Sequence, residues 1–116
     1  MTGVQTCALP ILAHSVHLNT RSFSKHMALG AFYDEIVDLA DKFAEAYQGK
    51  HGLIGPITLM SADDSANIVS FLQNQVDAIE KARYQVCDKT ETALQNIVDE
   101  IEGLYFSTLY KLRFLA

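Results

Sequence analysis

An all-α fold is what this sequence predicts: an up-and-down bundle of four helices, the first of them truncated. Three observations predict it. Apolar residues recur every three or four positions through three long stretches, the spacing that places them on one side of a helix. No stretch of useful length alternates apolar and polar residues as a half-buried strand would. The periodic stretches are near equal, at ~23–25 residues and ~35 Å each, which suits helices packed side by side. A chain of 116 residues, 49% hydrophobic and 20% charged, can enclose one core, and two prolines and six glycines are too few for disorder.

Residues 1–11, MTGVQTCALPI, match the translation of a sequencing-library adapter with GTG as the start codon, and are expected to be non-native. The domain is then 12–116, and its true beginning lies upstream. Leu12 to Leu18 looks like the last two turns of a first helix whose start has been lost. That loss is expected to leave apolar surface open on Leu29, Ile36 and Phe43 and to make the chain less stable than intact relatives, at about 25 cal/mol per Å² not buried.

Asn19, Thr20, Arg21 and Ser22 form a polar corner, and Ser22 or Ser24 can cap the helix that follows. This second helix is expected from Phe23 to Tyr47, with Gly49 as its C-terminal cap. Leu29, Tyr33, Ile36, Ala40, Phe43 and Tyr47 make its apolar stripe; His26, Gly30, Asp34, Asp38, Asp41 and Glu45 fall on the opposite face. Lys50 to Leu59 carries Gly52, Gly55 and Pro56 and is a connection. Ser61 with Asp64 resembles a capping box opening the third helix, whose inner positions include Ile68, Leu72, Val76 and Ile79. After a break at Cys87 to Thr90, Asp88 is the expected N-cap, with Glu91 three residues later. The fourth helix runs to about Phe114 with Leu94, Ile97, Ile101, Leu104, Thr108 and Leu112 in a 3-4 rhythm, flanked by Val98, Tyr105 and Leu115.

Charge and composition narrow the partners. A net charge of −5 with no basic tail argues against a dedicated nucleic-acid binder, so DNA is an unlikely partner. No apolar run approaches the ~20 residues of a membrane span, and no membrane is expected. Two cysteines, Cys7 and Cys87, give neither a disulfide framework nor paired metal ligands, and a reducing, cytoplasmic setting fits.

The chemistry lies in His17 and His26 either side of the corner, and Asp41 and Glu45 one turn apart further along the second helix. Imidazoles with carboxylates suit iron, zinc or manganese. Fifteen helical residues separate His26 from Asp41, ~22 Å of rise, so one metal cannot bind both within a chain. If the four share a centre, it joins two chains about a two-fold axis. Beside this stands the plainer alternative that the acids are a solvated face and that the histidines cap or pack. His51 is expected to be exposed in the connection, Tyr47, Tyr105 and Tyr110 to serve core or interface, and Cys87 to be an ordinary helix-end residue.

The spacing of His26, Asp41 and Glu45 in a helix ending Tyr47-Gln48-Gly49 resembles the starvation-induced miniferritins, the Dps family of the ferritin superfamily. The chain is still more similar to short phage-encoded Dps-like proteins. Those carry a compact corner like His17 to His26, an Ala28-Leu29-Gly30, a Tyr47 to Lys50 ending and a last helix like Leu94 to Leu115. The resemblance covers nearly everything after Leu12 and implies a ferritin-like four-helix bundle. It also implies a ferroxidase oxidising Fe(II) with peroxide or oxygen, and a homo-oligomer, from a two-fold dimer to a dodecameric cage. His17 and His26 of one subunit and Asp41 and Glu45 of its mate would then be the iron ligands at the dimer interface. His14 rivals His17, since it has the spacing of the longer bacterial members, whereas His17 matches the phage corner. Two positions depart from the family: Gly30 stands where miniferritins have an Asp, and Leu18 where a Trp is usual. The Glu-x-x-His arrangement of ferritin-like di-iron bundles is absent. The alternative is a non-enzymatic helical assembly protein of phage origin that has lost metal activity.

Overall fold

The computed structural model describes residues 13–55 and 67–115. Among these the chain is all-helical, with four helices and no strand: α1 at residues 13–19, α2 at Phe23–His51, α3 at Ile68–Val86 and α4 at Thr92–Phe114. The adapter-like segment, the expected truncation of the first helix and the Ser61–Asp64 capping box all fall outside the described residues.

Each boundary has a local cause. The Ser22 hydroxyl accepts the Lys25 N–H at 3.3 Å and so starts α2 as expected. The helix then passes the expected end at Tyr47 and the expected cap at Gly49, running on to His51. Gly52 is the true cap: its φ of +94° is in the left-handed region, and its N–H closes on the Gln48 carbonyl at 2.8 Å. Lys50 and His51 extend the last turn, where basic side chains meet the negative end of the helix dipole. Asn67 opens α3, its Oδ1 accepting the N–H groups of Val69 at 3.0 Å and Ser70 at 3.2 Å.

At α4 the expected roles of Asp88 and Glu91 are exchanged. Glu91 is the N-cap, and its carboxylate reaches back to accept the Asp88 N–H at 2.6 Å. The same carboxylate pairs with Lys50 at 3.0 Å and with the His51 ring, tying the end of α2 to the start of α4. Lys50 above all, with the Asp88 N–H, holds the Glu91 carboxyl down at about 2. His51, expected in a loop, is therefore part of a junction between two helices.

Side-chain pairs show the helix directions. Lys50 meets Glu91, Lys42 meets Glu100 at 3.4 Å, and Phe32 meets Tyr105, so α2 and α4 are antiparallel. Arg83 meets Gln95 at 2.8 Å and Gln73 meets Arg113 at 3.0 Å, so α3 and α4 are antiparallel too. Consequently α2 and α3 run parallel. This differs from the expected up-and-down order, in which consecutive helices alternate. The backbone of α4 packs closely on both neighbours, while those of α2 and α3 make no close approach to each other.

That central position explains why α4 buries the widest stripe: Leu94, Ile97, Val98, Ile101, Tyr105, Leu109 and Leu112. The expected inner residues of α3, Leu72, Val76 and Ile79, are buried as well. On α2 the buried face is turned relative to the expected stripe: Ala28 and Phe32 join Leu29 and Ile36, while Tyr33 and Ala40 are only half-buried. Packing against α4 rather than a symmetric bundle centre accounts for the turn. Leu115 is exposed, against expectation.

One core atom is left unsatisfied. Tyr105 is 0% exposed and its hydroxyl has no hydrogen-bond partner among the described residues. Burial pushes its ionisation far up. A buried hydroxyl without a partner costs ~1–3 kcal/mol, so Tyr105→Phe should raise the unfolding free energy by about 1–2 kcal/mol. Urea melts check this; a loss of stability would show that the hydroxyl has a partner in solution.

Candidate metal centre

The corner between α1 and α2 is built by short-range bonds. Thr20 N–H closes the last turn of α1 on Val16 O at 2.9 Å, and Thr20 Oγ1 accepts the Ser22 N–H at 3.3 Å. The chain thus reverses within three residues and lays α1 against the start of α2. His14 and His17 are three apart in α1 and share a face; His26, Gly30 and Tyr33 share one in α2.

These faces meet as a column of rings. His17 stacks on His26 with centroids 3.9 Å apart and planes 21° apart. His14 lies 6.0 Å from His17 and stacks on Tyr33 at 4.5 Å. The two central imidazoles are fixed reciprocally: His17 Nδ1 is 2.6 Å from the His26 carbonyl oxygen, and His26 Nδ1 is 3.0 Å from that of His17. A carbonyl only accepts, so each Nδ1 must carry its hydrogen and donate. In the neutral ring the lone pair then resides on Nε2. An imidazole whose other nitrogen donates to a backbone carbonyl is oriented as metal-ligating histidines are.

Gly30 is the floor of this column. A Cβ added there would lie 2.8 Å from His17 Cε1 and 3.1 Å from its Nδ1. The ring of His17 fills the space in which a side chain at position 30 would begin. With His17 placed so, position 30 has no room for a carboxylate-bearing side chain unless that ring moves.

Asp41 and Glu45 are exposed on α2, one turn apart, at fifteen and nineteen residues beyond His26. Neither is in an ion pair among the described residues. The spacing keeps them ~22 Å or more from the histidines of their own chain. Among the described residues no three His, Cys, Asp or Glu side chains converge as a metal site. The chain thus assembles the two imidazoles, leaves the two carboxylates apart from them, and adds His14 and Tyr33 to the stack. His14 had been only a rival for His17; the i, i+3 spacing of the two was the signal that both face α2.

A second polar cluster lies at the other end of α3. Arg83, with 9% of its side chain exposed, donates to Gln95 Oε1 at 2.8 Å, Gln95 O at 2.9 Å, Asp99 at 2.7 Å and Glu102 at 3.2 Å. Burial works against the charge, but Asp99 and Glu102 overcome it and raise the guanidinium further. Gln95 Nε2 donates to the Cys87 carbonyl at 2.9 Å. Cys87 is buried, and burial pushes its thiol up, away from reactivity. These groups lock the α3–α4 turn and leave no open ligand position.

Comparison with known proteins adds family but not activity. The model of a family described as "Family of unknown function (DUF5856)" matches residues 17–112. An uncharacterized 14.6 kDa protein from the mobD-ri intergenic region of Enterobacteria phage T4 is 28% identical over 99 residues, covering 85% of this chain and 75% of that protein. No solved structure matches.

Proposed function

The chain belongs to the DUF5856 family of unknown function, and from that premise we propose that His17 and His26 form half of a transition-metal site completed by Asp41 and Glu45 of a second copy. The observation that carries this is the reciprocal pair of Nδ1-to-carbonyl contacts, at 2.6 and 3.0 Å, which holds both rings with Nε2 as the free donor. Two imidazoles and two carboxylates suit iron, which would be the substrate: bound as Fe(II) and oxidised by peroxide or oxygen. With Gly30 in place of a carboxylate, the site holds one ion rather than two. The parallel course of α2 and α3, consecutive in the chain, supports a ferritin-like bundle over a simple up-and-down one. A homo-oligomer in a reducing, cytoplasmic setting completes the proposal.

Anaerobic calorimetric titration with Fe(II), and Co(II) absorption as a spectroscopic proxy, test it. His26→Ala and Glu45→Ala should each abolish binding. Mixing the two variants should restore one intact site per heterodimer, since one chain keeps its imidazoles and the other its carboxylates. Unchanged uptake in both single variants would put the metal at other residues and sink the proposal, and no uptake by the wild type would leave an assembly protein without metal chemistry.

A further inference from the structure

The outward face of α4 carries large apolar groups that its own bundle does not cover. Phe106, Tyr110 and Phe114 recur every four residues and are 44%, 56% and 73% exposed. Tyr110 and Phe114 already lean on each other with centroids 6.0 Å apart. Midway along the same face is Gly103, seven residues before Tyr110, where an added Cβ would meet nothing within 4 Å. The face therefore offers both a projecting ring and an open seat two turns away. It borders a groove of about 540 Å³ between α2 and α4, with Ala31, Gly103 and Ser107 among its small lining residues and Glu100 and Lys111 among its charged ones.

The charges along α4 are polarised. Asp99, Glu100 and Glu102 occupy its first half, and Lys111 and Arg113 its last turn. Lys111 is in no ion pair among the described residues. Two copies of this helix laid parallel would set acids on acids and bases on bases. Laid antiparallel about a two-fold axis near Phe106, they would set the basic end of each on the acidic half of the other.

We propose that α4 is a self-association surface: two copies pair α4 to α4, antiparallel, through Phe106 and Tyr110. At the axis Phe106 meets its own symmetry copy. Tyr110 of each chain lies over Gly103 of the other, the ring filling the seat. Lys111 comes within reach of Glu100 of the second copy, which in its own chain makes only an exposed pair with Lys42. Such a contact is isologous, so it closes at two and leaves no free copy of the surface. Neither Asp41 nor Glu45 lines the groove that this face borders, and the contact does not depend on any metal.

Sedimentation of the full chain across a concentration series tests this. The wild type should dimerise. Phe106→Glu and Tyr110→Glu should each raise the dissociation constant at least ~100-fold, as for a central aromatic anchor, with helical circular dichroism and melting temperature kept. Lys111→Glu and Glu100→Lys should each weaken the dimer, and the double variant should restore it, because both contacts reform with the charges exchanged. A wild type still monomeric at about 100 μM overturns the proposal. So does a dimer indifferent to both aromatic variants, or a double variant weaker than either single one.

Discussion

Phe32→Ala is expected to lower the unfolding free energy by about 3–5 kcal/mol, the largest loss from any single side chain here. Phe32 is 0% exposed and meets Tyr105 edge to face, with centroids 5.2 Å apart and planes at 77°. Truncation removes the transfer term of a full aromatic side chain and opens a cavity on the α2–α4 contact. It also removes an aromatic pair worth ~0.5–1.5 kcal/mol. Against a typical total of ~5–15 kcal/mol, this is a large fraction of what holds a small domain together. Urea denaturation followed by circular dichroism measures it, with exposed Val37→Ala as a control within ~0.5 kcal/mol of wild type. A loss below about 1 kcal/mol would mean that the α2–α4 contact is not the centre of the core.

Arg83→Ala is expected to be the next most damaging, at about 2–3 kcal/mol. The guanidinium is nearly enclosed and satisfies Gln95 and Glu102, whose side chains are themselves poorly exposed. Removing it strands the Gln95 carbonyl groups and the Glu102 carboxylate with little water to replace it. The contrast is Lys42→Ala: the Lys42–Glu100 pair is 59% and 54% exposed at its two ends and should be worth ~0–1 kcal/mol. A double-mutant cycle of Arg83→Ala with Gln95→Leu isolates the coupling between α3 and α4. Coupling near zero would reduce the cluster to surface decoration.

The helices were legible because burial imposes a period on sequence. The inner residues of α3 and α4 could be read off as Leu72, Val76, Ile79, Leu94, Ile97 and Ile101. What periodicity does not encode is which neighbour a helix faces, so the orientation of α2 came out turned and Phe32 was missed. Nor does it encode direction: near-equal lengths suggested alternating helices, while the parallel course of α2 and α3 emerges only from pairs such as Lys42 with Glu100. Gly49 and Gly52 are both plausible caps on paper; only the backbone dihedral distinguishes them. At the candidate site, spacing alone separated His26 from Asp41, and the corner placed His17 and His26 together as the sequence suggested. The ring column and its use of Gly30 were out of reach, because a missing Cβ has meaning only once the atoms that take its place are known.

The parallel course of α2 and α3 around a shared α4 has a kinetic consequence. Arg83 and Gln95 are 12 residues apart, so the α3–α4 hairpin closes a short loop at small entropic expense. Lys42 and Glu100 are 58 apart, so the contact between α2 and α4 closes a far longer loop. The hairpin is then the early-forming unit and α2 the late-docking one. Amide hydrogens of α2 should accordingly exchange through a lower-energy opening than those of α4, which both events protect.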